Sequence, residues 1–545
     1  MTPAETILLA QTIHTLDPDL PKATAVAISG GRIIRAGDRE AILALSGPAT
    51  TVLDYGQATA VPGLTDSHTH VVLGLDLARG LNLTDVGPLG EVQRRLAEAA
   101  ARLAGGEWLQ GWGLDPNLFT GIGFQGLVFD GATGEVPLFL RMRDGHSAVV
   151  NSAAIRQAGI TGDEEFSDES LVALGDDGRP TGYLVEFEAM ELALAAIPQE
   201  PFPVRAARLR EILDGMAATG ITATHVLDLA DDAVALVEEL ERDGELPVRL
   251  RFSPMVQPHL SEDGWAAIAG LQGRSGRRWV IEGVKFLIDG TVDNGTAWLE
   301  HPDLYGQGTD PVWTDPEQYR RALGFFASRG VPTATHAIGD QGVRYVLDAL
   351  EGLGDVRGLA AHRIEHIETI PDDLVPRFAA LGVAASMQPV HGTHHTKADR
   401  SDNWSVRLGE ERAGHGWRCQ DLRQAGAILA LGSDWPITPY DPRAMMADSM
   451  LRRPVERPHW APVQPEQGLT SLQALEGYTS HAAASAGLSA ASGTIAPGKR
   501  ADFTVFAADP LSVSAEELAR TAVVATVLDG REVAEHAAEA ATTVP

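Results

Sequence analysis

The sequence Gly63-Leu64-Thr65-Asp66-Ser67-His68-Thr69-His70 decides how this 545-residue chain is interpreted. It follows the apolar segment Thr59-Ala60-Val61-Pro62 and reads as a strand that ends in two histidines. Side chains at positions i and i+2 of a strand point to the same face, so the imidazoles of His68 and His70 aim side by side at one point. Neutral imidazole nitrogens are common ligands of zinc-like ions, and the pair predicts a metal site if other ligands join it.

Seven further strand-like segments follow, and helical stretches such as 319–328 and 341–353 lie between most of them. Repeated alternation of a strand and a helix predicts an α/β fold with a parallel sheet, and eight repeats predict a (β/α)8 TIM barrel. The eight predicted strands are 64–70, 221–229, 248–256, 280–288, 332–338, 363–368, 383–388 and 428–433.

Two regions do not fit the barrel repeat. Both ends of the chain are rich in short strands, which predicts a β-sandwich built from residues 1–60 and 486–545 around a central barrel of residues 61–485. The first connection of the barrel is far too long for a single loop. We therefore expect residues from about 75 to about 200, including a strand at 136–141, to form an inserted lid subdomain over the barrel mouth.

The bulk composition restricts the classes of partner and the location. The formal net charge of −31 disfavours nucleic acid and anionic membranes as partners, because both are themselves negatively charged. No apolar segment approaches the ~20 residues that span a bilayer. Cys419 is the one cysteine, so an internal disulfide is excluded and a reducing cytoplasm is the expected location. We expect a small-molecule substrate and a homo-oligomer, a dimer.

Four later strands also end in residues of the type that bind metals. Active sites of (β/α)8 barrels sit at the carboxyl ends of the strands, and those ends carry Lys285, His336, His366 and Asp434. Each residue alone has an ordinary structural explanation: a core histidine bonded to backbone, a lysine reaching for solvent, or an aspartate that caps a helix. Together with His68 and His70 they predict one metal centre at the barrel mouth.

These residues and their surroundings resemble the amidohydrolase superfamily, and within it the amidohydrolase family 3 (YtcJ-like) branch, which includes N-substituted formamide deformylases. The resemblance covers nearly the whole chain. It rests on Val61-Pro62-Gly63-Leu64 before the histidine pair, Asp144-Gly145-His146 before Asn151-Ser152, Lys285 before Asp289-Gly290, His336-Ala337-Ile338-Gly339-Asp340, Arg363-Ile364-Glu365-His366, Gly432-Ser433-Asp434, and the C-terminal segment 493–502.

The resemblance implies one or two divalent ions, with zinc expected, held by His68, His70, Lys285, His336, His366 and Asp434. In many members of the superfamily the lysine is carboxylated and bridges two ions. Chemistry agrees, because an ammonium has no acceptor and would repel cations, whereas a carbamate supplies anionic oxygens. A plain Lys285 beside a single ion is the alternative. Ligands of this kind suit Zn, Mn, Fe and Co alike.

The implied activity is hydrolysis of an amide-type C–N bond (N-acyl, N-formyl or cyclic amide) that is not a peptide bond. A metal-bound hydroxide attacks, and Asp434 acts as the general base. We expect His146 to contact the oxyanion. The residues expected to bind substrate are Trp112, Asp115, Trp298 and His395.

Three other functions stay open. Ester or lactone hydrolysis uses the same machinery. Amine deamination is disfavoured, because related deaminases carry a glutamate soon after the fifth-strand histidine, whereas His336 is followed by Ala337, Ile338 and Gly339. A non-catalytic binding or regulatory protein is disfavoured by the complete ligand set.

Overall fold

The computed structural model describes residues 3–84, 86–166 and 170–534. Parts of two predicted units lie outside the described residues: 1–2 and 535–545 of the terminal β-domain, and 85 and 167–169 of the insertion. No helix within the described ranges is long and apolar enough to cross a membrane.

Short strands recur along the whole of the described chain. In chain order they are β1 (Thr6–His14), β2 (Lys22–Ser29), β3 (Arg32–Gly37), β4 (Thr51–Asp54), β5 (Thr59–Pro62), β6 (Leu64–Thr69), β7 (Leu81–Asn82), β8 (Leu109–Leu114), β9 (Leu138–Met142), β10 (Ser147–Val150), β11 (Leu171–Leu174), β12 (Pro180–Val185), β13 (Ile221–Val226), β14 (Arg249–Phe252), β15 (Trp279–Ile281), β16 (Val284–Leu287), β17 (Thr333–Ala337), β18 (His362–His366), β19 (Ala384–Met387), β20 (Leu429–Leu431), β21 (Phe503–Phe506), β22 (Val523–Leu528) and β23 (Arg531–Ala534).

Helices lie between most of these strands. In chain order they are α1 (Arg39–Leu43), α2 (Gly74–Leu77), α3 (Leu89–Ala100), α4 (Asp130–Thr133), α5 (Ser152–Ala158), α6 (Phe187–Leu194), α7 (Phe202–Ala218), α8 (Ala233–Arg242), α9 (Glu262–Gly270), α10 (Pro316–Ala327), α11 (Asp340–Gly352), α12 (Val375–Leu381), α13 (Pro389–His395), α14 (Asn403–Ala413), α15 (Cys419–Gln424), α16 (Pro442–Leu451), α17 (Ser471–Gly477), α18 (Ser480–Ser485) and α19 (Ala515–Leu518). Short 3-10 turns cover Pro116–Phe119, Leu127–Phe129, Gly354–Leu359 and Pro465–Gln467.

Strands from both ends of the chain pair in one eight-stranded sheet. Its order is β23-β22-β21-β5-β1-β2-β3, and β4 pairs with β1 beside this path. Alternate residues of β1 lie in different apolar clusters: Leu8 packs with Phe503 and Val527, and Ile7 and Leu9 pack in a second cluster. Both faces of the sheet are therefore covered where β1 runs. The strands pair in one continuous sheet. The predicted two-sheet sandwich remains a prediction.

The centre of the chain contains two parallel sheets. One has the order β15-β14-β13-β6 and the other β16-β17-β18-β19-β20. The segment 280–288, predicted as one strand, is two strands in different sheets, because Gly283 has a φ of 95° that a continuous strand does not allow. The structure thus has the predicted α/β architecture with parallel strands, and its strand pairing is that of two sheets and not of one closed ladder.

The insertion forms a sheet of its own with the order β11-β12-β10-β9-β8-β7. Its two faces pack against separate apolar clusters, one around Phe129 and Leu140 and the other around Phe139 and Met190. The predicted strand 136–141 corresponds to β9. This region has its own core, and it lies against the mouth of the central sheets through the loop before β10 and the start of α6.

Candidate metal centre

Three side chains converge at the carboxyl ends of β6 and β20. The Nε2 atoms of His68 and His70 each lie 3.3 Å from Oδ1 of Asp434. Ligand atoms held at about 2.0–2.1 Å by one tetrahedral ion are separated by roughly 3.3–3.4 Å. Both imidazole nitrogens therefore lie at the distance from Oδ1 of Asp434 that binding to a single divalent ion requires.

The two histidines are oriented by carboxylates behind them. Nδ1 of His68 donates to Glu365 over 2.7 Å, and Nδ1 of His70 donates to Asp228 over 2.7 Å. Glu365 is itself paired with Arg363 at 2.7 Å. A carboxylate that accepts the Nδ1 proton fixes the tautomer, so that the lone pair of Nε2 faces the ion. Both imidazoles are thus prepared as ligands.

The buried polar atoms of this site show whether a cation fits there. Nε2 of His68 and Oδ1 of Asp434 are buried, and neither has a hydrogen-bond partner among the described residues. An unpartnered buried polar atom costs free energy, so atoms of this kind need an explanation. A divalent ion would satisfy them together, and the residues therefore fit the metal that the sequence predicts.

The other three predicted ligands line the same cavity. Nε2 of His336 donates to the carbonyl of Gly290 over 3.0 Å, which leaves Nδ1 free to act as a ligand. Its ring lies 4.5 Å from that of His366, and Nδ1 of His366 lies 4.0 Å from Oδ2 of Asp434. Lys285 lies on β16 and is only 2% exposed. The structure therefore brings all six predicted ligands to one place.

Burial sets the charge of these groups. It lowers the pKa of His336 and His366 well below the usual value, and neighbouring cations lower it further. Burial also lowers the pKa of Lys285 to about 8, although nearby carboxylates oppose this. Burial opposes protonation of His70, but the carboxylates of Asp228 and Asp434 raise its pKa to about 9. Most of the imidazoles are neutral at pH 7, which is the form that binds metals.

Several residues of the centre did not emerge from the sequence. Asp66 accepts from the N–H groups of His68 (3.1 Å) and Ser433 (3.0 Å) and so ties β6 to the segment after β20. Burial raises its pKa to about 7. Asp228 and Glu365 are the orienting carboxylates. Each lies on or just after a predicted strand, and that position beside a ligand is a signal that could have found them.

A cavity of about 820 Å³, its open mouth included, leads from the solvent to the candidate metal-binding atoms. The insertion contributes Asp144, Gly145, His146 and Phe187 to its wall. Nδ1 of His146 donates to Glu186 over 2.9 Å, so the far side of the ring is available to the cavity. Burial opposes protonation of His146, but Glu186 and Asp144 raise its pKa. His146 is therefore suited to donate a hydrogen bond.

Of the four residues predicted to bind substrate, only His395 lines this cavity among the described residues. Asp115 instead accepts from the N–H of Asn117 and pairs with Arg143 at 3.1 Å. The ring of Trp298 packs against Tyr345 at 5.2 Å. Trp112 is half-buried within β8 and is not part of the wall. Trp112 and Asp115 belong to the insertion, and their positions depend on the direction in which it packs, which local sequence does not determine.

The wall position of Phe187 leads to a prediction about specificity. Phe187 is 41% exposed and its ring lies 5.1 Å from that of His146. We expect Phe187→Ala to change the ratio of kcat/KM between a bulky and a small substrate by about 10-fold or more, since one apolar contact is worth about 1–3 kcal/mol. Leu171→Ala, which removes a 44% exposed side chain of the same insertion, is the control. An equal ratio in both variants and the wild type would contradict this role.

The chain matches known proteins over nearly its full length. It is 28% identical to Protein LONG AFTER FAR-RED 3 of Arabidopsis thaliana, over 97% of this chain and 91% of that protein. It is 27% identical to the putative amidohydrolase YtcJ of Bacillus subtilis (96% and 98% covered), and 24% identical to N-substituted formamide deformylase of Arthrobacter pascens (96% and 97% covered).

A solved structure and a family model agree with these relatives. The crystal structure of an uncharacterized metal-dependent hydrolase from Pyrococcus horikoshii superposes with a TM-score of 0.71 at 25% identity, over 94% of this chain and 99% of that one. The model of the amidohydrolase family matches residues 51–534. The structural neighbour and the family both point to a metal-dependent hydrolase, and the chain belongs to the amidohydrolase family.

Proposed function

We propose that the protein hydrolyses an amide-type C–N bond in a small molecule, an N-acyl, N-formyl or cyclic amide, and that it needs a divalent metal ion to do so. The observation that carries this proposal is the convergence of His68, His70 and Asp434 at the end of an open cavity. The deformylase relative, whose name states a C–N substrate, supports the bond class.

The residues that would hold the metal are His68, His70 and Asp434, with His336, His366 and Lys285 beside them. A bound divalent ion would supply Lewis-acid polarisation of the carbonyl and a water of lowered pKa. The nitrogen-rich ligand set suits zinc.

We further propose that Lys285 carries a carbamate. Burial favours the neutral amine, which adds to the carbon of carbon dioxide and releases one proton, and the anionic product suits a place among cations better than an ammonium does.

The proposed chemistry assigns two roles to side chains of this chain. Asp434 takes the proton of the attacking water and transfers it to the leaving nitrogen, since it faces the cavity beside both ligand histidines. His146 donates a hydrogen bond to the developing oxyanion, with Glu186 fixing its ring. Proton transfer and charge stabilisation would then come from different sides of the cavity.

We also infer that the two central parallel sheets are halves of one (β/α)8 barrel. Isolated parallel bridges join Met255 to Lys285 and Thr69 to Trp435, and the N–H of Asp434 donates to the carbonyl of His68 over 2.7 Å. These contacts link both edges of one sheet to the other. The lid insertion would then cover the mouth of that barrel, and the terminal strands would contact the amino ends of β6 and β13. We also propose that the protein is cytoplasmic and forms a homodimer.

Matched substrates test the bond class. N-formyl, N-acetyl and cyclic amides would be compared with esters and lactones of the same skeleton, using metal-loaded protein and protein treated with a chelator. We expect metal-dependent hydrolysis with kcat/KM highest for an amide. Higher kcat/KM for the esters would instead assign an ester hydrolase, and release of ammonia from an aryl amine would assign a deaminase.

A further inference from the structure

A seventh potential ligand lies next to the six predicted ones. His391 is part of α13, the helix that follows β19, and it is 6% exposed. Its Nε2 atom lies 3.8 Å from Oδ2 of Asp434. Within the described residues, Nε2 of His391 and Nδ1 of His366 are both buried and have no hydrogen-bond partner. Two orphaned imidazole nitrogens therefore face the same carboxylate.

The three groups are close enough to share a cation. One ligand atom each of His366, His391 and Asp434 lies within 4.8 Å of the other two, and the two imidazole rings are stacked at 6.1 Å. The separations from Asp434, 3.8 Å for His391 and 4.0 Å for His366, exceed the tetrahedral value. They match ligand–metal–ligand angles of 120–180°, which at bond lengths of about 2.0–2.1 Å give roughly 3.5–4.2 Å and occur in five-coordinate sites.

A carboxylate stands behind His391, as one stands behind each of the first two ligands. Its Nδ1 lies 4.0 Å from Oε1 of Glu368, and Glu368 is held by the indole N–H of Trp404 at 2.7 Å. In the first two ligands, Glu365 accepts from Nδ1 of His68 and Asp228 accepts from Nδ1 of His70. The distance from His391 to Glu368 is longer than a hydrogen bond, and a shift of about 1 Å would close it. With that distance closed, Glu368 would orient His391 as carboxylates orient metal-binding histidines.

We propose that His391 is a ligand of a second divalent ion, which it holds together with His366 and Asp434. The inference rests on the proposed metal-dependent function. Oδ1 of Asp434 would face the first ion and Oδ2 the second, and Asp434 would accept the proton of the attacking water once Oδ2 has left the second ion. The loop after β19 thereby becomes part of the metal centre, and occupancy of the second site couples to the position of α13.

Titration of the metal-free full-length protein with Co2+ alone tests this proposal. The readouts are the ligand-field absorption of Co2+ and the bound metal by elemental analysis. We expect two equivalents in the wild type. His391→Ala and His391→Asn should keep the first equivalent and bind the second at least about tenfold more weakly, since even residues behind a ligand alter metal affinity 10–100-fold. His395→Ala, which removes a ring stacked on His391 at 5.5 Å, should keep both.

The proposal is overturned if the wild type binds a single equivalent at saturation, or if folded His391 variants bind both equivalents with wild-type affinity. Circular dichroism and the Tm of each metal-free variant establish that it is folded. The proposed function is judged separately. If the wild type hydrolyses its substrate with a single bound ion, and His68→Ala loses that ion and the activity, the proposed function stands. That result would refute only the role of His391.

Discussion

Replacement of Asp434 by asparagine is expected to lower turnover by at least about a hundredfold while most of the metal remains bound. Asparagine keeps the shape and one oxygen but cannot accept the proton, and loss of a general base costs about 10²–10⁴-fold in rate. Oδ1 of Asp434 lies 3.3 Å from both ligand histidines, so some loss of metal affinity would add to this. The measurement is kcat at full metal occupancy, set by elemental analysis of the same sample.

Asp355→Asn is the matched control, because Asp355 is exposed on a 3-10 turn remote from the cavity. It should turn over at the wild-type rate. Near-normal turnover of the Asp434 variant at full occupancy would show that another group handles the proton, and would refute the assignment of the general base.

Lys285→Ala should lose most of its metal and at least about a hundredfold of its activity. The side chain is 2% exposed in the wall of the cavity, and loss of a direct ligand should exceed the 10–100-fold effect typical of residues behind ligands. If the wild-type residue is a carbamate, short-chain carboxylic acids should partly restore both metal and turnover, because they replace its anionic oxygens in the space left by the truncation.

Lys22→Ala, which removes an exposed lysine of β2, controls for the loss of one positive charge and should behave as wild type. Metal content of Lys285→Ala equal to that of the wild type would exclude Lys285 as a ligand. Loss of metal that no acid reverses, in a variant with wild-type Tm, would favour a direct role of the unmodified amine.

The sequence could place the six predicted ligands in one cavity because most of their positions follow from local rules. His68 and His70 share a face through the two-residue period of a strand, and His336, His366 and Asp434 lie at or just beyond the carboxyl ends of parallel strands, which meet at one edge. Lys285 is the second residue of β16 and lies earlier in its strand. His391 lies on α13, which is separated from β19 only by Gln388, so it too follows the carboxyl end of a strand. Its approach to Asp434 depends on the direction that this helix takes, which the sequence does not determine.

The insertion shows why residues of the cavity wall are harder to predict than residues at strand ends. Trp112 and Phe187 are both aromatic residues of the inserted region, and no local pattern tells which one faces the cavity. The answer depends on how the sheet of β7–β12 docks on the central sheets. The break at Gly283 is a similar case: a glycine is visible in the sequence, but a positive φ there depends on the path between β15 and β16.

The metal dependence of hydrolysis by the purified full-length protein tests most directly whether the protein is a metal-dependent hydrolase. Elemental analysis would be combined with the rate of hydrolysis of the best amide substrate before chelation, after chelation and after readdition of Zn2+. We expect one or two divalent ions per chain, loss of hydrolysis on chelation, and its return with the metal. Protein without divalent metal whose hydrolysis is unaffected by the chelator would contradict it.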